Sequence, residues 1–248
     1  MRTGVFAIAI LFTLQWSFAQ DFQKSYDLQE GGQILITNFL GDVKVTGYAG
    51  TSVEVKAFKK GPEKDEIEIT DLSFGNRVEL SPRFPRLHSG KSTVDFEVRV
   101  PGNVRYNFSR LSSFSGNISV SNVMGMLRAE SVRGNVEVKD VIGLVSASSV
   151  SGNVDVEIGQ VQEPSNMKFR SISGNVTVSA PANLDALIAM SSDSGMLRTD
   201  FPIDVQERRY GPGREARGKL GSGKQILWIS SNSGRVSLIQ RPERQASS

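Results

Sequence analysis

The sequence predicts an all-β fold, a single-domain parallel β-solenoid built from coils of 18 to 22 residues. Three observations predict it. A Gly-Asn step followed by alternating apolar residues returns at Gly116-Asn117, Gly134-Asn135, Gly152-Asn153 and Gly174-Asn175, with glycines 18, 18 and 22 residues apart. A period of that size marks a unit that cannot bury its own apolar side and must stack on its neighbours. The columns around the glycine are also uniform. Five residues upstream stand Leu111, Ala129, Ala147, Phe169 and Met190, and two downstream stand Ile118, Val136, Val154, Val176 and Leu197. Finally, the apolar spacing is two within each run and becomes odd between runs, so each repeat reads as strand, corner, strand, return. Gly takes positive φ readily and Asn tolerates the left-handed region, which assigns the Gly-Asn step to the corner.

Residues 1–19 begin Met1-Arg2, run through an apolar stretch from Val5 to Phe12 and end Ser17-Phe18-Ala19. A basic start, a short apolar core and small residues before the cut describe a secretory signal peptide. Its apolar core is short of the roughly 20 residues that a membrane span needs. No Cys follows it for lipid attachment, and no later segment is apolar enough to hold the mature chain in a membrane. The expected localisation is periplasmic or secreted, at the cell surface if a partner retains it. With no Cys anywhere, the domain over 20–248 must be held by its core and strand ladders rather than by disulfides.

From Asp21 to Lys60 the coil geometry appears once at Gly41-Asp42-Val43, with Ile34 and Ile36 upstream and Asn38 where other coils carry Ser. The mixed charges from Lys59 to Glu66 around Pro62 describe a solvated turn. Residues 81–91 form a basic loop punctuated by Pro82 and Pro85. His88, the one histidine, has no second ligand or acid near it in sequence, so no metal or catalytic role is expected. Val94 to Val100 alternate strictly and lead into the most regular coils, 109–200. A polar insertion at 201–224 follows, and then a final coil at 225–240 around Gly234. Seven or eight coils at about 4.8 Å would make a rod of roughly 35 to 40 Å. A hexapeptide left-handed helix also has 18 residues per coil, but its aliphatic positions fall every six residues, and these do not.

Three residues before each glycine stand Ser113, Ser131, Ser149, Ser171, Ser192 and Ser231. Stacked hydroxyls can satisfy corner backbone groups that would otherwise be buried unpaired. A row of nucleophiles would need a base beside it, which a chain with one His does not offer. Residues 218–225 approach a phosphate-loop pattern, but Gln225 stands where Ser or Thr would hold magnesium and a strand pattern follows instead of a helix. No cofactor is expected.

The opening from Phe22 to Asn38, the Gly41-Asp42-Val43-Lys44-Val45 coil, the Val98-Arg99-Val100-Pro101 strand end, the Ser-x-x-Gly-Asn-Val repeats and the closing Gly221-Ser222-Gly223 resemble the bacterial DUF4097 adhesin-like family. The resemblance covers nearly the whole mature chain and implies a stacked β-solenoid with no established catalytic residues. Met196, where Asn is expected, and the 201–224 insertion depart from the pattern.

With 29 basic against 26 acidic residues, the charge balance does not suggest a nucleic-acid partner. The expected function is a non-catalytic, exported adhesin-like or envelope-associated module whose partner is a cell-envelope polymer or a surface protein. Six residues before the glycines, Arg110, Arg128, Lys168 and Trp228 stand at outward positions, interrupted by Ser146 and Ala189. Stacking aligns them as a basic stripe with one indole near its end, suited to an anionic polymer. The alternative is a polysaccharide lyase or hydrolase, for which Glu137 and Asp155 are the one adjacent acid pair three residues after the glycine. In either case Val154→Asp should collapse neighbouring coils by burying an unpaired charge, read as loss of the cooperative unfolding transition.

Overall fold

A computed structural model describes residues 21–159, 165–209 and 211–241. The expected signal peptide at 1–19 lies outside the described residues. Two long, mostly parallel sheets face one another, one of ten strands and one of eleven among the described residues, with no closed barrel. Each coil gives one strand to each sheet. The sheet carrying the serine column is called the serine sheet here, and the other the valine sheet. Helix is confined, among the described residues, to a single 3-10 turn at Lys64–Glu66.

The regular coils show why the repeat folds this way. Met124–Arg133, Val145–Ser149 and Asn166–Ser171 lie side by side in the serine sheet, so that Ser131 pairs with Ser149 and Ser149 with Ser171. Val136–Val141, Val154–Ile158 and Val176–Ala180 do the same in the valine sheet, with Val136 beside Val154 and Val154 beside Val176. Alternation therefore sends Leu127, Ala129, Val136 and Val138 into one core between the sheets, all fully buried. Each large aliphatic side chain placed there stabilises by about 1.5 to 3 kcal/mol relative to exposure.

The corner works differently from the sequence expectation. No Asn of the Gly-Asn steps has positive φ; among the described residues only Asn122 and Asp140 do so without being glycine. Gly is required instead by close approach: a Cβ on Gly134 would lie 2.0 Å from the Gly116 carbonyl oxygen, and one on Gly152 equally close to that of Gly134. Positive φ is needed at the return corners, at Gly125 (φ 123°) and Gly143 (φ 138°). Each serine then bridges two coils. Ser149 Oγ donates to the Gly134 carbonyl at 2.8 Å and accepts from Gly152 N–H at 2.9 Å, and Ser171 repeats the pattern with Gly152 and Gly174. The asparagines form a second ladder, in which each Oδ1 accepts the backbone N–H of the equivalent residue one coil on: Asn117 from Asn135, Asn135 from Asn153, Asn153 from Asn175.

Spatial order departs from chain order at both ends. The coil of Gln33–Leu40 and Val43–Tyr48 lies between that of Arg77–Arg83 and Thr93–Pro101 and that of Arg105–Ser115 and Ile118–Ser121. The coil of Gln225–Ser231 and Val236–Gln240, last in sequence, lies between that of Asn166–Ser171 and Val176–Ala180 and that of Ala186–Ser192 and Leu197–Thr199. The asparagine ladder gives a reason. Asn175 Oδ1 accepts from Arg235 N–H, and neither Arg235 nor Met196 carries a side-chain amide to extend the row, so these two coils belong at its end. The described residues thus make eight coils, a stack of about 34 Å.

Antiparallel strands cover both sheets at one end of the stack and the serine sheet at the other. Val53–Lys60 pairs with Thr93–Pro101, Phe22–Tyr26 covers Val53–Lys60, and Glu68–Asp71 covers Arg77–Arg83. Asp71 ties the two sheets of this cap together, accepting from Lys24 Nζ at 2.6 Å and Tyr26 Oη at 3.0 Å. At the other end Arg214–Leu220 pairs antiparallel with Ala186–Ser192, and Val205–Glu207 pairs with it in turn. The segment expected as a polar insertion is therefore a cap, and it buries Phe201, Ile203, Ala216 and Leu220. Such covering protects a sheet edge that would otherwise offer unpaired backbone to another chain.

Gly152→Ala should fail to fold, because the added carbon meets backbone rather than a movable side chain. Ser149→Ala should fold but lose about 1 to 3 kcal/mol, since it strands a buried N–H and a buried carbonyl. Urea denaturation measures both, and a Ser149→Ala chain as stable as the natural one would contradict the bridging role.

Candidate functional site

The expected stripe forms on the outer face of the serine sheet. Arg128 pairs in register with Ser146, Ser146 with Lys168, Lys168 with Trp228 and Trp228 with Ala189. Arg110 enters one strand earlier, at a register shift in the strand Arg105–Ser115 where residues 109 and 110 together face Arg128. Arg110, Arg128 and Lys168 are exposed, and the indole of Trp228 is 44% exposed. Arg128 is not wholly available to a partner, because Glu130 on the same strand accepts from its guanidinium at 2.8 Å.

Around Trp228 the structure adds residues that spacing alone does not reach. The cap strand Arg214–Leu220 places Arg217 beside Ala189, so the row continues as Lys168, Trp228, Ala189 and Arg217. Lys168 and Arg217 then flank the indole from backbones about 14 Å apart. Ala189 is small, and beside the indole an open depression of about 570 Å³ lies between Lys168, Glu215, Arg217, Ser191 and Ser230. Glu215 holds Arg217 at 3.5 Å. An aromatic face, two cations, a carboxylate and hydroxyls around one depression can bind a hydroxylated, negatively charged chain, with the indole supplying a stacking surface. The insertion's basic residues are visible in the sequence, but their place depends on an antiparallel return that no repeat period encodes.

The other candidates resolve into structural roles. In the near-miss phosphate loop, Asp185 occupies the position an anion would take: its carboxylate accepts from Ser222 Oγ at 2.7 Å, Gly223 N–H at 2.5 Å and Lys224 N–H at 3.1 Å. These hydrogen bonds, that of Ser222 foremost, lower its pKa. Gln225 accepts from the backbone and hydroxyl of Ser165, and a strand follows it. His88 packs against Phe39 and Phe84, and its Nδ1 accepts from Gly90 N–H. Among the described residues no group of three or more His, Asp or Glu side chains converges as a metal site.

Glu137 and Asp155 do lie in register on adjacent strands of the valine sheet. They continue a row three residues after the marker glycine, Lys44, Ser119, Thr177, Ser237 and Arg198; alternation places all of these outward, yet Ser237 is buried. Glu137 is paired with Lys139. Asp155 is exposed on the outer face, and partial desolvation by its neighbours, with the Glu137 charge beside it, raises its carboxyl above its ordinary value.

Two facing sheets of stacked coils, closed by antiparallel caps, define a β-solenoid-like protein of the repeat class. The chain belongs to the Toastrack DUF4097 family, which it matches over residues 32–239. No curated protein matches it. Among solved structures it is similar to one named as a "putative cell adhesion protein" from Clostridium sporogenes, at 13% identity over 89% of this chain and 99% of that one with a TM-score of 0.47. It is also similar to a "putative adhesin" from Bacteroides fragilis, at 14% identity over 89% of this chain and 96% of that one with a TM-score of 0.41.

The raised Asp155 carboxyl predicts a pH dependence of stability. The folded chain binds this proton more tightly than the unfolded one, so between the two pKa values stability falls as pH rises. Asp155→Asn should therefore be at least as stable as the natural chain at about pH 7 and lose that advantage at about pH 3. Denaturation at the two pH values checks this, and a loss confined to neutral pH would contradict it.

Proposed function

We propose that this protein is a non-catalytic, exported envelope module that holds an anionic cell-envelope polymer along the serine sheet, through Arg110, Arg128, Lys168 and the groove around Trp228. The observation that carries the reading is the half-exposed indole standing between Lys168 and Arg217 over an open depression. A buried tryptophan would serve the core, and a lone surface lysine would serve solubility. An indole flanked by two cations on a rigid sheet instead offers stacking and charge together. Export rests on the residue pattern of 1–19, and retention at the surface would come from the bound polymer. The non-catalytic part of the reading rests on the acid pair: Glu137 is engaged with Lys139, and the groove with the aromatic side chain lies on the opposite sheet from Asp155.

Pull-down of anionic and neutral polysaccharides and of envelope fractions, at low and physiological salt, tests this reading. Binding of the anionic polymer should fall at least tenfold in Lys168→Glu/Arg217→Glu, and also in the triple change of Arg110, Arg128 and Lys168 to Glu. It should weaken as salt screens charge beyond about 8 Å. Trp228→Ala should weaken it about fivefold while leaving the salt dependence intact. Binding unchanged in all three variants would overturn the site. Release of new sugar ends from the polymer, abolished by Glu137→Gln or Asp155→Asn, would replace it with the enzyme reading.

A further inference from the structure

A second exposed feature runs along the serine sheet, two residues before each marker glycine and outside the Trp228 groove. Phe39, Phe114 and Val132 occupy this position on adjacent strands, and Val150 and Ile172 continue it one residue past the ends of the next two, where Ser151 N–H bonds the Val132 carbonyl and Ser173 N–H that of Val150. Phe39, Val132, Val150 and Ile172 are 41%, 36%, 39% and 38% exposed. Beyond Phe39 the row continues into Phe84, whose ring meets that of Phe39 edge-on at 5.9 Å, while Phe114 stacks on Phe39 at 5.2 Å. At its other end the column turns polar, at Asn232 and Asp193. From Phe39 to Ile172 the ridge thus spans four coil steps, about 19 Å, and it culminates in an aromatic cluster.

The loop beside that cluster presents Leu87, which is 93% exposed, and His88 packs the loop onto Phe39 and Phe84. Within the loop itself the charge has one sign. Residues 81–91 carry Arg83, Arg86 and Lys91 and no acid, and the Arg133 guanidinium lies over the Phe114 ring at 5.0 Å. Two acids border the loop. The Glu63 carboxylate accepts from Ser89 N–H at 2.9 Å and from the Ser92 hydroxyl, bonds that keep it ionised. Glu68 stands across from Arg83, so Arg86, Lys91 and Arg133 remain as the excess of positive charge. A sugar chain would find no hydrogen-bonding groups along a ridge of Phe, Val and Ile. A leucine at a loop tip where cations outnumber acids instead suits a fluid apolar phase with an anionic surface, since the net charge draws the loop to the headgroups and the apolar tip enters beneath them.

The geometry points to this corner as a docking surface for an anionic lipid bilayer. Leu87 and the Phe84, Phe39 and Phe114 cluster enter the headgroup boundary, and Arg86, Lys91 and Arg133 meet lipid phosphates. The surface is separate from the Trp228 groove, and the two are lost by different substitutions.

The chain has no Cys, so a single introduced one reports locally. Ser89→Cys in the full chain, labelled with an environment-sensitive fluorophore, is mixed with phosphatidylglycerol-containing vesicles and with pure phosphatidylcholine vesicles. Thr177→Cys on the opposite sheet serves as the control, so that contact made elsewhere in the chain is not mistaken for docking here. A blue shift at position 89 on the anionic vesicles alone is expected, with none at position 177. The response should fall at least fivefold when Leu87→Ser and Arg86→Gln are added, with an unchanged circular dichroism spectrum showing that the variant folds. No shift at position 89, or an equal shift on both vesicle types, overturns the proposal. So does a concentration-dependent shift without lipid, which would assign the ridge to a second copy of this chain.

Discussion

The closest constraint in this fold is the distance between one corner and the next. From Gly116 to Gly195, each coil lays its marker glycine so near the carbonyl of the marker glycine in the adjacent coil that a single carbon atom would not fit. That contact sets the level of the coil. The serine hydroxyl and the asparagine side chain then fix its azimuth, because both reach across the same gap to backbone groups of the neighbouring coil. Valine and leucine pack wherever alternation sends them and would tolerate small slips. The corner does not, so it aligns the outer row of Lys168, Trp228 and Ala189 against which the cap strand sets Arg217.

Legibility in the sequence followed the periodicity. The glycine, serine and apolar columns recur at fixed offsets, and parallel stacking converts a fixed offset directly into adjacency; Val136 beside Val154 and Ser131 beside Ser149 could be read without coordinates. The reason for the Gly-Asn pair could not, because a crowded corner and a left-handed corner select the same glycine. Asn is used here for its side-chain carbonyl and not for its backbone tolerance.

Arg217 was illegible for a different reason. It belongs to a strand that runs against the stack, and antiparallel return has no period to detect. The same is true of the terminal caps, whose residues alternate correctly but whose partners lie far away in sequence. The ridge of Phe39, Phe114, Val132, Val150 and Ile172 was present in the columns all along. Its side chains are apolar like those of the core, and only the corner geometry places them outside it.

The intercalation of the last coil changes what completeness means for this chain. In a solenoid wound in sequence order, losing the C-terminus removes the outermost layer and leaves a shorter rod. Here Gln225–Gln240 lies beneath a layer made earlier in the chain, so Ala186–Thr199 has its proper seat only after the final strands have passed between it and Val176–Ala180. A chain interrupted before Gln225 loses the keystone, and Trp228 with it, and keeps the stone above, leaving the cap with nothing to stand on.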